Sequence, residues 1–372
     1  MKLEYREYKP KKIVNIHRHV DGPWFWGKYT AHPYIGCRSG CEFCYSRGSR
    51  YLGRRDPDTF DTLIQVKVNA VDLLREELSR LDVDVISAGD WQQPAEDRYR
   101  LSRGMLEIVR QLGFPLFIVE RSPLLARDLD LLVDINNQNW VGVVLSMSSL
   151  DPDLKRAFEP RSPGVKRRLQ TMQQLAEAGI TVGTGLMPIL PFVGDDVAHL
   201  EDVVRATKDH GGKFIMAGGL TMDGIQAERT LQAAKNYDPI LETRIKEMYS
   251  WSPMGKPQYG PPQAYNARLG LTVRELCDRH GLLDRMPRYI APGPLAVNKR
   301  IAELLFLRTY NLELEGGNQY QIWAYRKAAW TVDEHSQSIA AIFQEHGEAG
   351  LRQLPGIGKS ISAQIAQWLK KE

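Results

Sequence analysis

The sequence predicts an α/β fold, a parallel barrel or a doubly wound sheet, followed by a small all-α domain. Three observations predict it. Between about residues 60 and 250, short apolar runs rich in β-formers alternate with amphipathic helical patterns. Each run is bounded by polar, Gly or Pro residues, as strands buried on both faces should be. From residue 298 onward most of the chain has helical period.

The expected strands are Val83–Ser87, Pro115–Glu120, Val141–Met147, Thr181–Met187 and Phe214–Leu220, with one more near Phe25–Tyr34. The intervening helices include Asn69–Arg80, Arg100–Gln111, Val165–Ala178, Val197–Asp209 and Gln226–Asn236, giving six β/α units. In such folds ligands gather at the carboxyl ends of the strands. The triple cysteine, Ala88–Asp90, Arg121, Ser146 and Met187 all fall at such ends. Two Pro-rich stretches, Trp251–Tyr265 and Met286–Pro294, read as irregular connections. The chain thus divides into a basic N-terminal arm (1–24), the barrel (25–250), a Pro-rich extension and linker (251–297) and a helical domain (298–372).

Composition is that of a globular protein, with 43% hydrophobic and 25% charged residues. No apolar stretch is long enough to predict a membrane span, and the N-terminal MKLEYREYKPKK has no apolar signal core. A cytoplasmic protein is expected. The net charge of +4 is mild, but residues 1–56 hold twelve Lys/Arg against five Asp/Glu. A solvated arm and a polyanion-facing mouth near the cysteines both fit that excess.

Only four cysteines occur, and Cys37, Cys41 and Cys44 lie within eight residues. Such a cluster in a cytosolic chain reads as metal binding rather than as a disulfide framework. Soft thiolates match iron, and three of them hold three irons of a cubane while leaving the fourth open. A structural zinc site with His32 or His19 as fourth ligand is the alternative, although the paired CxxC knuckles usual for zinc are absent.

Cys37-Arg-Ser-Gly-Cys41-Glu-Phe43-Cys44 resembles the CxxxCxφC signature of the radical S-adenosylmethionine (SAM) superfamily, with Phe43 as its aromatic. The resemblance implies a partial (β/α)6 TIM-like barrel and a [4Fe–4S] cluster whose unique iron is chelated by SAM. Reductive cleavage of SAM then yields a 5′-deoxyadenosyl radical. It also implies a low-potential electron donor such as a flavodoxin or ferredoxin.

Over residues 25–250 the likeness is to the spore photoproduct lyase branch. Ser87-Ala88-Gly89-Asp90 stands at that branch's SAM-amino motif. Glu120-Arg121-Ser122-Pro123 resembles a motif whose basic residue meets the SAM carboxylate, and Ser146 resembles a serine that hydrogen-bonds SAM. Phe158-Glu159-Pro160-Arg161 with Arg168, and Met187-Pro188-Ile189, complete the pattern. One position departs: the lyase has a cysteine hydrogen donor where Ser87 stands, and a serine O–H bond is too strong to replace it. Tyr45 and Cys277 are candidate radical relays; packing on the cluster explains Tyr45 equally, and a buried structural role explains Cys277.

Leu354-Pro-Gly356-Ile-Gly358-Lys359-Ser360 is a helix-hairpin-helix pattern, whose glycines permit backbone N–H groups to face a phosphate. A plain connection between helices is the alternative. With Ala324-Tyr325-Arg326-Lys327-Ala328-Ala329, residues 298–372 resemble the N-terminal domain of the polymerase X family, which implies binding to gapped or damaged DNA. In members with lyase activity a lysine forms an imine; here that position is Gln364, and a second phosphate-binding lysine is Gln321. The expectation is a radical SAM enzyme acting on DNA, with Gly356, Gly358, Lys359, Arg326 and Lys327 as DNA contacts. Two alternatives stand beside it: the same chemistry on RNA, a peptide or a small molecule, or a DNA-binding protein whose cluster is structural or redox-sensing.

Overall fold

A computed structural model describes residues 3–20, 22–250 and 259–371. The chain forms two compact units: one runs up to His17 and from Gly27 to Met286, the other joins Arg18–Trp26 to the residues from Pro287 onward.

The larger unit contains ten strands among its described residues: β1 (Glu4–Tyr8), β2 (Val14–Ile16), β3 (Tyr29–Ala31), β4 (Tyr34–Ile35), β5 (Leu63–Lys67), β6 (Ile86–Gly89), β7 (Leu116–Glu120), β8 (Val141–Ser146), β9 (Thr181–Ile189) and β10 (Phe214–Gly219). Seven of them form one open sheet in the order β10-β9-β8-β7-β6-β3-β2. From β3 to β10 every pairing is parallel, and β2 adds an antiparallel edge. Helices Leu101–Leu112, Leu129–Gln138, Val165–Glu177, Val197–Asp209 and Gly224–Tyr237 intervene or follow, so the six parallel strands with their crossovers make the α/β fold of the sequence pattern. Every residue of β8 is buried, as expected of a central strand covered on both faces.

Alternation sorts the side chains. Ile86, Ala88, Leu116, Ile118, Val141, Val143, Leu145 and Val182 belong to the main apolar core beneath the helices. Their neighbours in sequence, among them Ser87, Gly89, Val144 and Ser146, take the opposite face. That face carries the candidate site.

Some boundaries differ from the expected ones. Val83 is exposed and the second parallel strand begins only at Ile86, because two aspartates precede it. The 1–24 segment, expected as an arm, includes β1 and β2. On β1, an edge strand, Glu4, Arg6 and Glu7 are exposed and Tyr5 and Tyr8 half-buried, a pattern that alternation over five residues does not separate from a solvated coil. Together β1, β5 and β4 make a small second sheet under the cysteine loop. Of the Pro-rich stretch at 251–265, residues 251–258 lie outside the described residues, and a helix begins at Gln263.

In the smaller unit, helices Ala296–Leu314, Gln319–Asp333, Ile339–Leu351 and Lys359–Leu369 pack around Ile301, Leu305, Ala328, Val332, Ile339 and Ile365. Buried Asn298 donates to the carbonyls of His335 (3.1 Å) and Gln337 (2.8 Å) and accepts from the Ile339 N–H (2.9 Å), which fixes the turn between the second and third helices. The 18–26 segment packs here: Trp330 donates to the Val20 carbonyl at 3.0 Å, and Trp26 meets Phe306 edge-on at 5.5 Å. Among the described residues no helix is long and apolar enough to cross a membrane.

Candidate functional sites

The cysteine loop follows β4 and is tied from several sides. The Cys37 N–H donates to the Phe60 carbonyl at 3.0 Å, and the Glu42 N–H to the Phe158 carbonyl at 2.9 Å. Gln226 donates to the Phe43 carbonyl at 3.1 Å, while Arg229 pairs with Glu42 at 2.9 Å. Within the loop Gly40 has φ +59°, and a Cβ there would lie 2.8 Å from Asp61 Oδ2, so the Arg161–Asp61 ion pair packs directly on the glycine. Asp61 is buried and also lies 3.7 Å from Arg47, whose guanidinium donates to the Pro57 carbonyl and covers the Phe60 ring.

Burial pushes all three thiols up, Cys41 to about 12 and Cys37 well above the ordinary value. A bound cation removes such protons outright, so this donor set is matched to metal rather than to a free thiolate. Among the described residues no three His, Cys, Asp or Glu side chains form a shell for one metal ion. Zinc needs such a shell; a cubane places each thiolate on a different iron. His32 lies 3.0 Å from the Gly89 carbonyl, and His19, in the helical unit, stacks on Trp330 and meets Glu334 at 2.8 Å.

The motif after β6 closes on this loop. Asp90 takes a left-handed conformation (φ +55°), and its Oδ1 lies 3.7 Å from Cys37 Sγ. Gln93 donates to the Gly36 carbonyl at 2.9 Å, and Trp91 to that of Ala31 at 2.6 Å. Ala88 turns its side chain into the main core, leaving only its backbone to a ligand. Glu120 accepts the backbone N–H of Gln92 (3.0 Å) and of Arg121 (3.2 Å), joining the ends of β6 and β7; burial and then the nearby Asp90 push its carboxyl up to about 8.

A chain of charges continues from there. The Arg121 guanidinium lies 5.4 Å from the Phe43 ring centroid and 2.7 Å from Glu159. Arg168 reaches the other Glu159 oxygen at 2.6 Å and donates to the Ser146 carbonyl at 2.7 Å. Burial alone would raise the Glu159 carboxyl, but Arg121 and Arg168 bring it down to about 2. Glu159 and Glu120 belong to sequence motifs that assign them no role; a buried acid between two arginines becomes visible only in three dimensions. Met187 lies on β9, two residues before its end at Ile189, and its carbonyl accepts from Ser148 at 3.4 Å. Around the motif, the Ser87 hydroxyl, both ends of the Gln92 amide and the Gln93 carbonyl oxygen are buried without a hydrogen-bond partner. Buried polar groups left open in this way fit a polar guest such as SAM.

Tyr45, next to Cys44, is exposed. Cys277 is elsewhere: it is fully buried on the helix Gln263–His280, in a cluster with Leu186, Leu200 and Leu276, and burial pushes its thiol up to about 12.

In the helical unit the hairpin turn has Gly356 at φ +76°, where a Cβ would lie 3.8 Å from Lys327 Cβ. Leu354 and Ile357 anchor the turn, while Gly356, Gly358 and Lys359 stay exposed. Thr331 donates to the Pro355 carbonyl at 2.9 Å, holding Lys327 beside the turn. Arg326 instead pairs with Glu313 at 2.6 Å and covers Trp323.

Residues 32–206 match the Radical SAM superfamily model, and residues 297–372 match a helix-hairpin-helix domain. The chain belongs to the radical SAM superfamily. It is an enzyme of that class, and the family implies a [4Fe–4S] cluster and SAM. An uncharacterized protein of Mycobacterium tuberculosis is 30% identical over 238 residues, 62% of this chain and 70% of that protein. One of Methanocaldococcus jannaschii is 27% identical over 208 residues, 56% of this chain and 74% of its own. Among solved structures, a Cys-to-Ser variant of spore photoproduct lyase aligns with TM-score 0.53 at 16% identity, over 73% of this chain and 80% of that one. The same lyase complexed with dinucleoside spore photoproduct aligns at TM-score 0.51 and 15% identity, over 73% and 81%. These similarities show a shared fold.

Proposed function

We propose that this radical SAM enzyme acts on DNA, in the repair or modification of a damaged base. The observation that carries the reading is the presence in one chain of a radical SAM region and a helix-hairpin-helix domain, the latter keeping its glycines and Lys359 exposed.

In this reading Cys37, Cys41 and Cys44 would hold the cluster, and Phe43 would shield it. The Ala88 backbone, Gly89 and Asp90 receive the amino group of SAM, while Arg121, Ser146 and Met187 border the rest. When bound, the cluster and SAM supply a 5′-deoxyadenosyl radical by reductive cleavage. The chain supplies position and charge. Glu159 fixes Arg121 before any ligand arrives, so its field needs no reorganisation. Ser87 and Gln92, buried with open hydrogen-bonding groups, gain partners when the site fills.

At the hairpin, the N–H groups near Gly356 and Gly358 approach phosphates. Lys359 and Lys327 add charge, positioning a duplex without reading its sequence, and Arg326 would join them on release from Glu313. Gln364, which accepts from Tyr325 Oη at 2.8 Å, has no amine with which to form an imine. The module therefore binds DNA without lyase activity. An extruded base is needed to reach a site at the strand ends. With Ser87 at the donor position, the reaction differs from direct reversal of the spore photoproduct. A flavodoxin or ferredoxin serves as electron donor, in keeping with a cytoplasmic setting.

The test is deuterium transfer from labelled DNA, intact and ultraviolet-damaged, into 5′-deoxyadenosine after anaerobic reconstitution. Transfer from either DNA supports the reading. SAM cleavage that no DNA stimulates, with no deuterium transferred, rejects it.

A further inference from the structure

The segment that follows the third cysteine, residues 45–55, carries four arginines and no acidic residue. The fold divides these arginines by task. Arg47 is buried, its guanidinium on the Pro57 carbonyl and the Phe60 ring. Arg55 donates to the Leu52 carbonyl at 2.8 Å and to Gln65 at 3.0 Å. These two pin the segment at both ends, with Leu52 buried between them. Arg50 and Arg54 are exposed, and neither has an acidic partner among the described residues. Two outward tyrosines accompany them, Tyr45 before Arg50 and Tyr51 directly after it: Tyr45 is 58% and Tyr51 49% exposed. Their rings meet edge-on at 5.1 Å, and Arg50 lies 5.9 Å from the Tyr51 centroid.

A pinned segment that exposes two aromatics and two unpaired guanidinium groups beside a catalytic loop is costly to leave unused. Exposed tyrosines would gain by burial in a core, and Arg50 and Arg54, without an acidic partner among the described residues, add like charges to the same surface. We propose that residues 45–55 form a platform for an unpaired DNA strand, in which Tyr51 and Tyr45 stack on bases and Arg50 and Arg54 meet the flanking phosphates. Stacking faces interleaved with cations are the chemistry by which single strands are held without sequence preference. The platform rests on the DNA reading above and names its substrate form: DNA opened at the target base. An acidic electron donor would also be attracted by the arginines, but the paired rings favour bases. Because Tyr45 adjoins Cys44, a strand held there lies next to the cluster loop.

The test measures fluorescence anisotropy of the full-length, cluster-loaded protein with labelled single-stranded DNA, a duplex with a central unpaired bulge, and single-stranded RNA, across a salt series. Arg50→Glu with Arg54→Glu is expected to weaken single-stranded and bulged DNA roughly tenfold or more. It should also flatten the log–log salt slope by about 1.4, about 0.7 per phosphate contact. Tyr51→Ala should lose roughly 5- to 150-fold, the range of one stacked base, while Tyr51→Phe retains wild-type affinity. Unchanged cluster absorbance verifies the fold, and Arg50→Gln with Arg54→Gln, expected to flatten the slope equally, serves if the reversal fails to fold. Wild-type binding with no change in either variant overturns the platform and leaves the DNA reading standing. Absence of wild-type DNA binding overturns both. Variants that weaken only RNA, or that only slow cluster reduction by flavodoxin, assign the surface to those partners and overturn it.

Discussion

Glu159 is the residue on which the buried charges of the barrel converge. It is 3% exposed and lies between Arg121 and Arg168, which hold its carboxyl at about 2 despite burial. Because the folded value is depressed below the ordinary 4.5, its contribution to stability is fully present above pH 4.5 and is lost as pH falls toward 2. Glu159→Gln leaves the buried Arg168 and the half-buried Arg121 without their shared counter-charge and is expected to cost about 3–5 kcal/mol, measured by urea unfolding at pH 7. The gap between variant and wild type should narrow between pH 4.5 and 2. At the loop itself, Cys37→Ala, Cys41→Ala or Cys44→Ala should each abolish cluster absorbance and 5′-deoxyadenosine formation; survival of both would sink the assignment of the site. Cys277→Ala, by contrast, removes only a core sulfur and should leave cleavage intact at a cost of about 1–2 kcal/mol in stability.

At the scale of elements, the cysteine loop and the hairpin turn can be tested separately. In the cysteine loop, Gly40 accepts the Asp61–Arg161 pair against its backbone. Asp61→Asn removes the charge shared by Arg47 and Arg161, and a lower iron content after reconstitution is the expected readout. In the hairpin, Gly358 has an extended backbone and open space around it, whereas Gly356 sits at φ +76°. A side chain is strained at Gly356 but not at Gly358, which separates folding from binding. Gly358→Val should keep the unfolding temperature yet weaken duplex binding by obstructing phosphate approach. Lys327→Ala with Lys359→Ala should lower the salt slope on a duplex by roughly 1.8. An unchanged slope would remove the hairpin from the DNA contact.

Over the whole molecule, the 18–26 segment alters how the two units can be tested. It leaves the barrel after β2 and joins the helical unit, where Trp26 is only 3% exposed against Phe306. Deleting the residues after Met286 strips that cover, and the truncated chain is expected to aggregate on size-exclusion chromatography; a Trp26→Ser change should improve its recovery. Point variants on the hairpin are therefore the cleaner probe of DNA dependence. The sequence by itself determined the parallel α/β core, the helical tail and the three-thiolate loop. Those features are written in local signals: burial on both faces, helical period and ligand spacing within eight residues. Tertiary structure decided the partners of Arg121, the open polar groups at Ser87 and Gln92, and the shared carboxylate of Glu159. It also decided which of the four arginines at 45–55 anchor and which face outward, and that residues 18–26 pack with helices nearly 300 positions away. Each of these depends on contacts between residues distant in the chain, and a one-dimensional pattern of hydrophobicity does not specify which distant residues meet.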